Sequence, residues 1–185
     1  KGLCRDNPAS AVREVLPRKK DTGRLPALLE WSALGDVLRR AELARLSPSV
    51  RMAHRLCAFT AARIGNIVNA EWREFHLGDD PPVWIIPREK MKVATRLSDH
   101  RVPLCLEIAE ELRQWQAVSG RKGYVFPSPA GEGYIGRESV EKAYRVTLRL
   151  EGLHSPHGWR SAFSTLARDN GFERDVVELA LDHAH

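Results

Sequence analysis

A mainly α-helical domain with one small antiparallel β-sheet (α+β) is the fold class this sequence predicts. Apolar residues recur at helical spacing along most of the chain, for example Met52, Leu56 and Phe59, or Ile108, Leu112 and Trp115. Only two short runs are rich in β-formers, Val83-Trp84-Ile85-Ile86-Pro87 and Arg101-Val102-Pro103-Leu104, and one polar connection joins them. With 185 residues and 43% hydrophobic content, the chain is long enough for one core of ordinary size.

Residues 1–25 carry Asn7-Pro8, Pro17-Arg18-Lys19-Lys20 and Thr22-Gly23 with little apolar periodicity, and read as a linker into a domain over 26–185. A first helix follows Ser32 as N-cap, with Leu34, Val37, Leu38 and Leu43 on its apolar face. Ser47-Pro48-Ser49 breaks the chain, and a second helix runs from about Val50. A further helical stretch holds Ile64, Ile67 and Val68. His76 to Pro82 is turn-rich, and the two β-runs after it pair across Arg88 to His100. Beyond them come one helix with Ile108, Leu112 and Trp115, a glycine-rich turn over Gly131 to Gly136, and a helix with Val140, Tyr144 and Leu148. Ser155 as N-cap and Pro156 at the first helical position open another, with Trp159, Phe163 and Leu166 as its core stripe and Asn170-Gly171 as its stop. A last helix covers about Arg174 to Leu181.

A formal charge of +5 and a pI near 9.4 permit a polyanionic partner without establishing one. Cys4, Cys57 and Cys105 are odd in number and lack a C-x-x-C pair, which excludes a full disulfide framework and points to a reducing compartment. Cys57 and Cys105 sit among apolar neighbours and read as small core residues. No apolar run approaches the ~20 residues of a membrane span. Lys1 to Asp6 shows no secretory h-region and reads as an internal point of a longer protein.

The chemistry concentrates in Ser155-Pro156-His157-Gly158-Trp159-Arg160. Its imidazole and guanidinium stand three residues apart, on one helix face. A proton-transfer group beside a planar, permanently charged fork of donors suits phosphoryl transfer. Taken singly, each such residue has a plainer reading: Arg63 as a surface ion-pair partner, Lys92 as a solvated hairpin lysine, His157 as a helix cap, and His183 and His185 as a frayed end. His183-x-His185 has no third or fourth ligand at metal-site spacing, and the Pro81-Pro82 after Asp79-Asp80 makes that pair a turn, so neither metal nor cofactor is expected. His54, His76, His100 and His154 take structural readings.

Four segments together change that balance: Thr60-Ala61-Ala62-Arg63-Ile64-Gly65-Asn66, Met91-Lys92, His157-Gly158-Trp159-Arg160 and Leu179-Ala180-Leu181-Asp182-His183. In order and spacing they resemble the catalytic domain of the tyrosine recombinases, the phage-integrase family, especially its prophage branch. His100-Arg101-Val102-Pro103-Leu104 and Tyr124-Val125-Phe126-Pro127-Ser128 match as well, so the resemblance runs from about Leu25 to the end.

The resemblance implies that Arg63 and Arg160 grip the non-bridging oxygens of the scissile phosphate, and that Lys92 protonates the departing 5′-oxygen. Lys90, two residues away on the same strand face, is the alternative lysine. His157 would be the acid/base histidine, and His183 a hydrogen-bond donor to the phosphate. The family's nucleophile is a tyrosine shortly after the second histidine, and it forms a 3′-phosphotyrosyl link without ATP or metal. Tyr124, Tyr134 and Tyr144 all precede His157, the wrong order, so the nucleophile is expected beyond residue 185 and the given chain is expected not to cleave. Where the family commonly has Glu three residues after the first arginine, this chain has Asn66, which can hydrogen-bond Arg63 but brings no counter-charge.

The implied partners are double-stranded DNA at attachment sites, further copies forming a homotetramer on DNA, and accessory DNA-bending or directionality proteins. No membrane is implied, and the implied location is the bacterial cytoplasm, at the nucleoid. The alternatives are a type IB topoisomerase-like enzyme, which uses a similar residue set to relax supercoils, and a non-catalytic DNA-binding module.

Overall fold

The computed structural model describes residues 26–91, 98–120 and 122–182. The order of elements is α1 (Trp31–Leu43), α2 (Pro48–Thr60), α3 (Ile64–Val68), β1 (Phe75–His76), β2 (Val83–Ile86), β3 (His100–Pro103), α4 (Leu106–Ser119), α5 (Arg137–Lys142), α6 (Gly158–Asp169) and α7 (Arg174–Ala180). Helices around one three-stranded antiparallel sheet are the predicted class. Among the described residues, no helix is long and apolar enough to cross a membrane.

Helix α2 is the central strut, packed against α1, α3, α4 and α5. Its start is set by Ser47, whose Oγ accepts from the Val50 N–H at 3.4 Å, with Pro48 in the first turn where its missing N–H costs nothing. Val50, Met52, Ala53, His54, Leu56 and Cys57 are all buried, more than one face of the helix, as its central place requires.

The sheet order is β1-β2-β3. Trp84 lies opposite Phe75 on one side and Val102 on the other, and Ile86 lies opposite His100. Trp84 is fully buried, and its indole N–H donates to Glu74 at 2.9 Å. The Glu74 carboxylate is buried too and is neutralised by Lys90, which also bonds Glu71 (2.9 Å) and the Asn69 carbonyl (3.0 Å). A buried carboxylate needs such a partner, because the desolvation cost of a lone ion is several kcal/mol or more.

Several local expectations shift. Helix α1 starts at Trp31 with Glu30, not Ser32, as cap. His76 belongs to β1, not to the following turn. Lys90 ends a 3-10 turn, Arg88–Lys90, rather than sharing a strand face with Lys92. The expected Val140–Leu148 helix gives way to a π-helical stretch over Ala143–Thr147, which nevertheless buries Tyr144. Cys57 is buried but Cys105 is exposed, so only the former is a core residue. Phe163 is 39% exposed, so the core stripe of α6 is Trp159 and Ala162, with Leu166 half-buried. The linker assigned to residues 1–25 lies outside the described residues.

Under α6 the core contains a polar network. The indole N–H of Trp159 donates to the Tyr144 hydroxyl at 2.7 Å, and that oxygen lies 2.6 Å from His54 Nδ1. His154 Nδ1 accepts the Leu28 backbone N–H at 3.1 Å, which fixes this ring as neutral with its proton on Nε2. Burial holds both imidazoles down to about 4, with Arg55 adding to the effect on His54. The unfolded chain takes up these protons near pH 6.5, so the stability the histidines confer is complete above that pH and is lost as pH falls towards 4. At about 1.4 kcal/mol per pKa unit, each imidazole accounts for about 3 kcal/mol over that window. Denaturant midpoints should therefore fall from pH 6.5 to 5. His154→Asn, which keeps an acceptor but cannot ionise, should flatten that slope by about one proton, or about 1.4 kcal/mol per pH unit. An unaltered slope in His154→Asn excludes the buried neutral imidazole as its source.

Candidate active site

The turn joining α2 to α3 places Arg63. Thr60 bonds back to the Leu56 carbonyl at 2.6 Å, and Ala61 takes a left-handed conformation (φ 51°) with its N–H on the Cys57 carbonyl. The chain then leaves α2 sharply, and Arg63 becomes the N-cap residue of α3, its carbonyl accepting from Asn66 and Ile67. Ala61 packs with Val177 and Leu181 in a small apolar cluster, flanked by Ala167, apart from the main core. This cluster seats α7 beside the Arg63 turn.

Arg160 joins these two segments. It is 5% exposed, and its guanidinium donates to the Ala61 carbonyl at 2.7 Å and to the Leu181 carbonyl at 2.6 Å. Burial, then the nearby Arg63 cation, push its pKa down to about 10, so it remains charged at neutral pH. His157 is the N-cap residue of α6, one turn from Arg160, and is exposed. The helix starts at Gly158 rather than Pro156, although Ser155 still accepts the Gly158 N–H through Oγ (3.2 Å) and its carbonyl (2.8 Å).

Two residues that sequence reasoning missed complete the described cluster. Asp182, 5% exposed, accepts two bonds from Arg88, Nη1 to Oδ2 and Nη2 to Oδ1, both at 3.1 Å. Arg63 Nη1 lies 3.9 Å from the same Oδ2. Their sequence separation of 94 residues left no spacing signal, and Arg88 is one of 29 basic residues. His100, read as structural, also stands in this field. Burial holds its pKa below the ordinary imidazole value, Asp182 works against that, and Arg160, Arg88 and Arg63 reinforce it.

Arg63, Arg160 and His157 are thus carried by adjoining segments, while Lys92 and His183 lie outside the described residues. Asn66 does not serve Arg63 as expected: its Nδ2 donates to Met91 Sδ at 3.0 Å, and the counter-charge near Arg63 comes from Asp182. Lys90 is committed to Glu71, Glu74 and the Asn69 carbonyl under the sheet. Tyr144 is 1% exposed within the core network, and Tyr124 and Tyr134 pack ring to ring at 4.8 Å.

Comparison with known proteins gives a consistent set of similarities. The phage integrase family model matches residues 30–185. Prophage integrase IntA of Escherichia coli (strain K12) is 28% identical over 167 residues, covering 90% of this chain and 38% of that protein. Prophage integrase IntZ of the same organism is 28% identical over 138 residues, covering 74% of this chain and 33% of that protein. The chain therefore spans well under half the length of these curated relatives. In fold it is similar to the XerH site-specific recombinase bound to difH substrate in a pre-cleavage complex (TM-score 0.67, 20% identity, 90% of this chain and 49% of that one). It is also similar to the integrase from mycobacterium phage Brujita (TM-score 0.64, 21% identity, 98% of this chain and 56% of that one).

Gly158, between the two site residues of α6, has no room for a side chain. A Cβ there would stand 2.8 Å from two atoms of the His154 ring and 3.0 Å from the Pro26 carbonyl oxygen. Yielding would break the His154–Leu28 bond that anchors the ring. Helix propensity alone favours alanine over glycine by up to about 1 kcal/mol. Gly158→Ala should instead destabilise the chain by about 1–3 kcal/mol, the usual cost of overpacking. Urea unfolding at pH 7 checks this, and a stabilised variant would show that the contact relaxes freely.

Proposed function

Because this chain belongs to the phage integrase family, we propose that it is the strand-cleaving and rejoining domain of a site-specific DNA recombinase that integrates or excises a prophage or genomic island. The observation that most supports this is the buried Arg160, which holds the Arg63 turn and the end of α7 against the His157–Arg160 helix by two charge-assisted bonds. Two guanidiniums and an imidazole on adjoining segments are the groups a phosphodiester requires.

In the proposed reaction, Arg63 and Arg160 bind the non-bridging oxygens of the scissile phosphate, where charge accumulates in the transition state. A tyrosine hydroxyl attacks phosphorus, a P–O bond to tyrosine forms, and the bond to the 5′-oxygen breaks. His157 exchanges the phenol proton, Lys92 protonates the leaving oxygen, and His183 hydrogen-bonds the phosphate. The diester energy is kept in the 3′-phosphotyrosyl link, so attack by a 5′-hydroxyl reverses the step and seals the strand. Lys92 is preferred because Lys90 is occupied by two carboxylates. The nucleophile is assigned to a residue outside this chain, since Tyr144 is locked in the core and Tyr124 and Tyr134 precede His157, the wrong order for the family. Double-stranded DNA is the proposed substrate, with a homotetramer on DNA, accessory DNA-bending or directionality proteins and a location at the bacterial nucleoid as further parts of the reading. The DNA complexes among the similar structures support the DNA assignment.

The test uses the full-length parent on a duplex carrying its insertion junction. Arg63→Ala should lower single-turnover cleavage about 100- to 1000-fold, the loss typical of one transition-state donor, while DNA affinity changes only a few-fold. Equal losses in affinity and cleavage would reject the role. The 185-residue chain itself should bind duplex DNA in a salt-dependent way, since phosphate contacts release counterions, and should give no covalent adduct on a nicked trap substrate. An adduct would reassign the nucleophile.

A further inference from the structure

We propose that Arg88 and Asp182 are positioning residues, a clamp that aims Arg63 and joins the Lys92-bearing connection to the segment leading into His183. The inference rests on the recombinase reading above and adds two residues to it.

A carboxylate buried as deeply as Asp182 (4% side-chain exposure) is costly unless its charge is matched. Here the match is a bidentate pair with Arg88, a geometry that fixes the direction of both planes. Both terminal nitrogens of Arg88 donate to Asp182, which makes Arg88 the support of that carboxylate. Two more of its groups reach across the sheet connection: Nε donates to the Ser98 carbonyl at 2.6 Å, and its backbone N–H donates to Asp99 Oδ1 at 2.9 Å. Arg88 therefore ties together the two limbs from which the Lys92 segment departs and returns. Asp182 has a left-handed backbone (φ 49°), a conformation Asp tolerates better than most residues, and it turns the chain after α7 immediately before His183.

The electrostatics give the clamp its second function. Arg63, Arg88 and Arg160 converge, and Arg63 lowers the pKa of Arg160, so these cations disfavour one another. Asp182 offsets that repulsion and stands 3.9 Å from Arg63, where Asn66 brings no charge and turns its amide to Met91. A carboxylate placed beside Arg63 limits where its fork can point.

The test is single-turnover cleavage by the full-length recombinase at saturating DNA. Asp182→Asn and Arg88→Gln should each slow cleavage about 10- to 100-fold, the scale of a misplaced catalytic group, with DNA Kd within about threefold. Because each single variant strands a buried group, the double variant Arg88→Gln/Asp182→Asn is measured beside them. It removes both charges and should be no slower than the worse single, as expected for residues acting as one unit. A second readout separates aiming from mere folding. On a methylphosphonate substrate, which lacks the non-bridging charge that Arg63 meets, the Asp182→Asn penalty should shrink several-fold. A double variant that cleaves like wild type, or an Asp182→Asn penalty equal on both substrates, overturns the clamp. If Arg63→Ala itself cleaves normally, the recombinase assignment of Arg63 fails instead, whatever the clamp variants do.

Discussion

The two hydrogen bonds from Arg160 to the carbonyls of Ala61 and Leu181 determine how the rest of the site is arranged. A guanidinium 5% exposed has lost most of its hydration, a cost that hydrogen bonds to charged groups, about 1.5–3 kcal/mol each, partly offset. Neither carbonyl is chosen at random. Ala61 C=O is turned outward by the left-handed cap that ends α2, and Leu181 C=O belongs to the last turn after α7. A lysine could not make both bonds with one planar group, so the site is built for an arginine in its geometry as well as its charge. The same cation is disfavoured by Arg63, and the buried Asp182 carboxylate offsets part of that repulsion.

Below this cationic layer lies a neutral one. Trp159, the neighbour of Arg160, is anchored through its indole N–H to Tyr144, and Tyr144 to His54. Low dielectric strengthens those bonds and raises the cost of leaving any of them unmade. The ring of His154 packs edge-on to Trp159 at 4.8 Å and closes over Gly158. The start of α6 is thereby fixed from beneath by uncharged groups, so the charged residues above need not hold themselves in place. Stability and chemistry are divided between the two layers, and α6 belongs to both.

The sequence conveyed the fold class, the order of helices and the strand pair because periodicity and β-former runs are local signals. It failed where tertiary packing overrode them: the π-helical stretch at Ala143–Thr147 follows no local rule, and Phe163 keeps helical spacing yet points outward. Arg63, His157 and Arg160 stood out as candidates because they fall in compact motifs. Asp182 and Arg88 did not, although Asp182 lies in the Leu179–His183 motif, because a buried ion pair leaves no trace in spacing. Lys90 shows the converse. As a sequence it rivalled Lys92, and only the carboxylates of Glu71 and the buried Glu74 reveal that its charge is already spent.

The exchange of roles between Asn66 and Asp182 follows from the same electrostatics. An acidic residue three positions after Arg63 would sit on α3, next to the guanidinium it balances. With Asn66 there, the amide is buried and bonded to Met91, and Arg63 would face Arg160 with no local counter-charge. The carboxylate is supplied instead from the end of α7, by a residue whose backbone also turns the chain towards His183. A counter-charge on α3 would balance Arg63 whatever α7 did. One carried beyond α7 makes the balance conditional on that helix being seated, so the electrostatics around Arg63 and the packing of α7 are linked.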